Sequence, residues 1–418
     1  MLALGCFASG LAIGMGAPLG FASQAAASVV TPSPVLAPAS PAPVPVPVAS
    51  PVGEPSDVTD IATPVEAPVV QVKVADDVQP GRTISILGVG DILTHKEIIA
   101  QAIEDAAGVS SADFYPMLQG VEGLVSSADL AVCHMEYPMG SPEGPWTAWP
   151  GTPDAPPQLA EAIAKVGFDA CSTASNHVLD QGFDGITRLL DALDANGLAH
   201  AGTARSEEEA STPTLVDVKG VPVGLLSYSY SLDGISCPEE QPACANLIDV
   251  DRMIAEATAA RAAGARLVVL SLHAGDEGQT APSGQQLDVI QQLADSGQVD
   301  LVLGHHVHVV QPVERVGDMW VAYGHGNLLT AQSRKDPRSG DGLATMFTFT
   351  EQADGSFEAT SAAGYSVHNY DFPFRLTVAP DVSEQAWEEA ASWDRTMSAV
   401  MSYGAQDQGF ELLPWQGD

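Results

Sequence analysis

From Arg82 onward the chain alternates short apolar, β-branched runs with amphipathic stretches of helical period, and this alternation restricts the fold more than any other feature. TISILGVG, leading into Asp91, reads as a strand, FYPMLQGVEGLVSS as a helix and DLAVCHME as a strand. PPQLAEAIAKVGF has proline near its start and glycine near its end, the punctuation of a helix, and leads into the strand DACSTAS. GFDGITRLLDALDANG is the next helix, and TLVDVKGVPVGLLSYSYS reads as a hairpin about Lys219-Gly220. DVDRMIAEATAARAAG, RLVVLSLH, GQQLDVIQQLADSG and DLVLGHH then read as helix, strand, helix and strand. MWVAYGHGN and a hairpin about Asp354-Gly355 make a β-rich segment before a last helix in SEQAWEEAASWDRTMSAVMSYG. Strands alternating with helices require a sheet covered by helices, and the hairpins extend this to a mixed, layered α/β sandwich. Nothing marks a second core, so residues 82–418 read as one domain.

Upstream the chain has a different character. Residues 1–29 are apolar and rich in small residues, the first basic residue is Lys73, and an Ala-rich stretch closes the segment. This reads as an export signal, either cleaved or retained as a membrane anchor. The residues before Cys6 make a poor lipid-attachment signal. Residues 30–81 form a Pro/Ala/Val tract, whose proline density favours extended polyproline II and a semi-rigid spacer. The expected location is therefore extracellular or at the cell surface. A net charge of −37, from 53 acidic and 16 basic residues, excludes nucleic acid as a partner, because that contact needs a basic footprint.

The residues able to do chemistry recur at one structural position. Asp91, Glu136, Asn176 with His177, and His273 each follow or end a predicted strand, and His305, His306 and His308 follow the strand DLVLG. Loops at the C-terminal ends of strands in α/β sheets converge on one crevice. Imidazole, carboxylate and carboxamide are the donors of a divalent metal such as Zn, Fe or Mn, and no cysteine stands among them, which argues against a structural zinc site. An extended backbone would place His306 and His308 on one side, where a His-x-His pair addresses two neighbouring metals, with His305 turned away to support the site or pack. Two such ions can activate a water and hold a phosphoryl oxygen.

These stretches together carry a family resemblance. GVGDILTH, ADLAVCHMEYPM, GFDACSTASNHVLDQGFDGITRLLDALDANGLAHAGT, LSLHAGDE and DLVLGHHVHVVQPVE followed by YGHGN resemble the CapA (poly-γ-glutamate capsule biosynthesis) family from about residue 84 to 330. The resemblance implies a layered α/β/β/α sandwich of the calcineurin-like metallophosphoesterase type. It also implies two divalent ions, with Asp91 and His308 on one, Asn176, His273 and His306 on the other, and Glu136 between them. His177 would be the acid that protonates the leaving group. The implied substrate is a phosphoester or an anionic polymer such as poly-γ-glutamate, and capsule-synthesis proteins are the implied partners. Two departures stand out: His134 replaces the family's Asn two residues before the Glu, and His325 precedes Gly326-Asn327-Leu328 where relatives read Gly-Asn-Phe. Either extra imidazole changes the metal preference or is incidental.

Cys237 and Cys244 flank an acidic loop and suit a short disulfide outside the cytosol, or remain as two free thiols. Cys133 and Cys171 lie in apolar runs and read as buried core residues. Arg334, Lys335 and Arg338 cluster in a chain otherwise poor in cations. They form either a solvated loop or a contact for an anionic substrate. Trp146 and Trp149 line the crevice from the opposite loop or pack at its rim.

Overall fold

Runs that are apolar at every position, rather than at alternate ones, belong to strands covered on both faces. Leu267–His273 and Leu130–Met135 are buried along their whole length. The computed structural model describes residues 78–148, 150–332, 335–379 and 387–416. The expected signal or anchor at 1–29, and the linker up to residue 77, lie outside the described residues. Residues Val70–Asp418 form one compact unit. Among the described residues no helix is long and apolar enough to cross a membrane.

The strands are β1 (Thr83–Ile92), β2 (Leu130–Met135), β3 (Ala170–Ser172), β4 (Ala199–Ala201), β5 (Thr214–Val218), β6 (Val221–Ser229), β7 (Leu267–His273), β8 (Leu301–His305), β9 (Val313–Val316), β10 (Met319–Ala322), β11 (Asn327–Leu329), β12 (Asp341–Glu351), β13 (Phe357–Tyr370), β14 (Arg375–Val378) and β15 (Phe410–Leu412). The first sheet runs β14-β13-β12-β1-β2-β3-β4, with β11 against β1 and β15 against β13, and the second runs β5-β6-β7-β8-β10-β9. Ile84, Ile86, Leu130 and Val132 of the first sheet share one core with Val223, Leu225, Val269 and Leu303 of the second, so the sheets pack face to face. Helices Lys96–Asp105, Gln158–Val166 and Gly182–Ala195 cover the outer face of the first sheet, and Val250–Ala262 and Gly284–Ser296 cover that of the second. The result is the layered α/β/β/α sandwich.

Local differences from the sequence reading have physical causes. The stretch at 114–127 is not one helix but three short turns, Tyr115–Leu118, Gln119–Val121 and Glu122–Ser126. There Gly120 abuts the Leu376 carbonyl so closely that any Cβ would overlap it. MWVAYGHGN divides between sheets: β10 joins the second and β11 pairs with β1, Asp91 opposite Asn327. Helix Lys96–Asp105, which buries Ile98, Ile99 and Ala102 at helical spacing, and the three-residue β4 are additions to the sequence reading.

The Cys237–Cys244 disulfide forms. Cys133 and Cys171 are buried as expected, but they too are bonded to each other. The reason is register: they lie directly opposite one another across the parallel β2–β3 pair, a pairing that each strand's own sequence does not reveal.

Candidate metal centre

Parallel neighbours deliver the polar side chains. β1, β2 and β3 run parallel, with Asp91 opposite His134 and His134 opposite Ser172. In the second sheet β7 and β8 run parallel with His273 opposite His305. Their C-terminal ends open on one crevice, where the chain must pass close to itself. A Cβ at Gly90 would collide with the Gly326 carbonyl, whose oxygen accepts the Asp91 N–H at 3.0 Å.

All six residues expected to hold metal, Asp91, Glu136, Asn176, His273, His306 and His308, are buried and gathered at this crevice. They fall into two sets. Asp91, Glu136 and His308 present ligand atoms within 4.8 Å of one another. Here His308 Nδ1 lies 3.3 Å from Asp91 Oδ2, and its Nε2 lies 3.6 Å from Glu136 Oε1. In the second set His273 Nε2 lies 2.8 Å from Asn176 Oδ1, and the rings of His273 and His306 are 4.8 Å apart. Asp91, His134 and His273 also form a group within 4.8 Å, so His134 enters the site's surroundings.

The route by which the histidines arrive is not the extended one expected. β8 ends at His305, while His306 and His308 have φ of +88° and +56°. Two non-glycine residues in left-handed conformations within three positions store on the order of 1–3 kcal/mol each, a cost found where a site dictates the backbone. The His306 N–H donates to Asp91 Oδ2 at 2.9 Å, which holds the turn. His305 supports the site, its Nδ1 3.1 Å from Asp91 Oδ1 and its ring stacked on His134 at 4.0 Å. His325 has Nδ1 3.0 Å from the Gly304 carbonyl and Nε2 2.9 Å from Thr345 Oγ1, so it packs beneath the site and is not placed to ligate.

The electrostatics describe a pocket short of positive charge. Burial pushes Glu136 up to about 8, against the opposing pull of His308. For His308 burial acts downward, but the Glu136 and Asp91 carboxylates outweigh it and raise it to about 9. Burial also works against ionised Asp91, yet hydrogen bonds from His305 and His308 hold its carboxyl well below the usual range. Burial and neighbouring imidazoles depress His134 and His273, and bring His306 down to about 4. Both Glu136 carboxylate oxygens and His306 Nδ1 are buried without a hydrogen-bond partner among the described residues. Such atoms carry a desolvation penalty that a cation removes, so the donor set fits a divalent metal of the Zn, Fe or Mn kind.

His177 stands at the rim, its side chain 13% exposed, with Nδ1 2.8 Å from Asp180 Oδ2 and 3.9 Å from Asp233 Oδ2. Burial lowers its pKa, but the Asp180, Glu136 and Asp233 carboxylates together raise it. Asp233 also accepts from Asn176 Nδ2 at 3.0 Å. Sequence reasoning missed both aspartates. Asp180 was findable, three residues after His177; Asp233 comes from the loop after β6 and carries no local signal. The same loop brings Tyr230, whose ring lies 4.5 Å from that of His306. Of the three cations read as either a solvated loop or a substrate contact, Lys335 and Arg338 fall among the described residues. Arg338 is held by Asp336 at 2.5 Å, Lys335 is exposed, and Arg334 lies outside the described residues. Trp146 is half-buried and donates from Nε1 to the Ser141 carbonyl at 2.7 Å; Trp149 lies outside the described residues.

Known proteins resemble this chain along the same stretch. It is 26% identical over 178 residues to the capsule biosynthesis protein CapA of Bacillus anthracis, covering 42% of this chain and 43% of that one. It is 24% identical over 301 residues to the PGA biosynthesis protein CapA of Bacillus subtilis (strain 168), covering 68% and 72%. The chain thus spans less than half the length of the first of these relatives. Among solved structures, the calcineurin-like phosphoesterase YfkN of Bacillus subtilis aligns with a TM-score of 0.39 at 14% identity, over 78% of this chain and 99% of that one. The NAD nucleotidase NadN of Haemophilus influenzae aligns with a TM-score of 0.43 at 11% identity, over 80% and 64%. The model of the family described as bacterial capsule synthesis protein PGA_cap matches residues 85–332, more than half of the chain and every residue of the two donor sets, and the chain belongs to that family.

Proposed function

We propose that this chain is an exported, metal-dependent hydrolase of phosphoesters that serves capsule or poly-γ-glutamate biosynthesis. The observation that carries the reading is the buried Asp91, Glu136 and His308 group with its orphaned carboxylate oxygens, beside His273, Asn176 and the orphaned imidazole of His306. Asp91, Glu136 and His308 would hold one divalent ion and Asn176, His273 and His306 a second. When bound, the two ions supply Lewis acidity for the phosphoryl oxygens and an activated water. His177 is the proton donor: Asp180 takes Nδ1 at 2.8 Å, so a proton for the leaving oxygen travels through Nε2. Asp180 and Asp233 favour the imidazolium needed at the start of that transfer. Tyr230 packs against His306 and the buried Tyr137 packs edge-on against His177.

Two disulfides support export, since such bonds persist outside the reducing cytosol. The acidic chain supports a phosphoester substrate better than a long polyanion, which would reach the crevice only with cations between. Capsule-synthesis proteins remain the proposed partners, and an N-terminal segment at the membrane the proposed tether. The test is turnover of aryl phosphomonoesters and phosphodiesters by the Mn²⁺-loaded chain beside Asp91→Ala. Hydrolysis that the variant loses supports the enzyme reading. Turnover equal in both contradicts it, and absence of turnover with tight polymer binding would favour a non-catalytic surface assembly protein.

A further inference from the structure

We propose that His134 is a positioning residue whose own tautomer sets that of His273, so that in the metal-bound state His273 Nε2 is bare toward the metal. The inference rests on the metal-centre reading above. His134 is fully buried at the end of β2, opposite Ser172 on β3. Its Nδ1 lies 2.8 Å from Ser172 Oγ, and that hydroxyl donates to the Cys133 carbonyl at 3.2 Å. A hydroxyl has one proton. With that proton on the carbonyl, Ser172 accepts from His134 Nδ1–H and leaves His134 Nε2 bare. His134 Nε2 is 2.9 Å from His273 Nδ1, so His273 must donate there, and its own Nε2 is bare in turn. That atom faces Asn176 Oδ1 at 2.8 Å. Two lone-pair atoms at this distance with no proton between them repel, and a cation bound by both removes the conflict.

The reverse chain is also complete. The Ser172 hydroxyl can donate to His134, His134 Nε2–H to His273 Nδ1, and His273 Nε2–H to Asn176 Oδ1, with every atom satisfied and no metal. The two states differ in the tautomers of two imidazoles and in the rotation of the Ser172 hydroxyl. His134 therefore couples the β2–β3 strand pair, fixed just below by Cys133–Cys171, to the donor atom of His273. Stacking on His305, with 12° between the planes, holds the ring in the orientation both states need. A direct ligand role for His134 is the competing assignment, because its ring also lies within the Asp91 and His273 group.

The experiment uses the full chain, Zn²⁺ as probe and ¹⁵N-labelled histidine. The Zn²⁺-loaded chain should show a proton shared between His273 Nδ1 and His134 Nε2, with scalar coupling across that bond. His134→Ala should keep two ions per chain and weaken one roughly 10- to 100-fold, as loss of a ligand's hydrogen-bond partner does. Ser172→Ala should weaken the same ion in the unmodified chain and add nothing once His134 is gone. His134→Asn, which can accept from His273 and donate to Ser172, should stay within a few-fold and carries the test if the alanine variant does not fold. Loss of one whole ion in His134→Ala, as in His273→Ala, or no proton between the rings, overturns the proposal. No Zn²⁺ uptake by the unmodified chain overturns the metal-centre reading itself, an outcome distinct from both.

Discussion

Replacing Glu136 with Gln should stabilise the metal-free protein while weakening the metal-loaded one. Glu136 is fully buried and neither oxygen has a partner among the described residues. Burial lifts its pKa from the ordinary 4.5 to about 8, so at pH 7 the metal-free fold forces the carboxyl to take up a proton that the unfolded chain has released. That displacement of about 2.5 pH units costs about 3 kcal/mol of folding stability at pH 7. Gln has nearly the same shape and no such cost, while its amide carries one more donor than a protonated carboxyl, so the full gain is an upper bound. At roughly 2 °C per kcal/mol for a unit of this size, the variant should melt up to about 6 °C higher in chelator. The sign with pH follows from the raised pKa: the penalty is absent below the unfolded value, grows as pH rises above 4.5, and is complete above about 8. With Mn²⁺ or Zn²⁺ in excess the order should invert, because ligand binding stabilises the native chain by mass action and the variant binds more weakly. Thermal melts at pH 5, 7 and 8, with chelator and with metal, read all of this. A variant that melts below the unmodified chain in chelator, or a difference that does not change with pH, refutes the reasoning.

His177→Ala should lower turnover about 10²- to 10⁴-fold while leaving metal content unchanged; loss of metal would make it a ligand instead of the acid. Metal affinity should rise with pH through the neutral range, because the His308–Glu136 pair holds at least one proton that binding must expel. Calorimetry in buffers of differing ionisation enthalpy should find up to two protons released near neutral pH, and a release of none contradicts the assignment. Removing the Cys133–Cys171 bond as the double Ala variant reopens a closed loop with a sequence separation of 38, which by chain entropy costs about 4 kcal/mol. Urea unfolding checks this, and a cost below about 1 kcal/mol would place the register's stability elsewhere.

The alternation of periods made most strands and helices legible, and strand ends located Asp91, Glu136, Asn176, His177, His273 and the histidine run. Those positions are local consequences of pattern. Long-range geometry was not legible: the left-handed turn at His306 and His308 is set by the Asp91 carboxylate accepting a backbone N–H from another sheet. Cys133 and Cys171 are indistinguishable from apolar core until the β2–β3 register is known. The two departures from the family pattern also separate only in three dimensions. His325 has both ring nitrogens taken by Gly304 and Thr345, whereas His134 lies against His273. Of the cations at 334–338, Arg338 pairs with the adjacent Asp336, a local partner that the sequence already places two residues away.

Metal content of the purified chain, by elemental analysis after Mn²⁺ or Zn²⁺ loading and removal of excess ion, beside His306→Ala/His308→Ala, tests the central claim most directly. The account predicts about two ions per chain in the unmodified protein, as expected for a paired site, and loss of both in the variant. A chain that takes up no metal, or a variant that retains both ions, would contradict it.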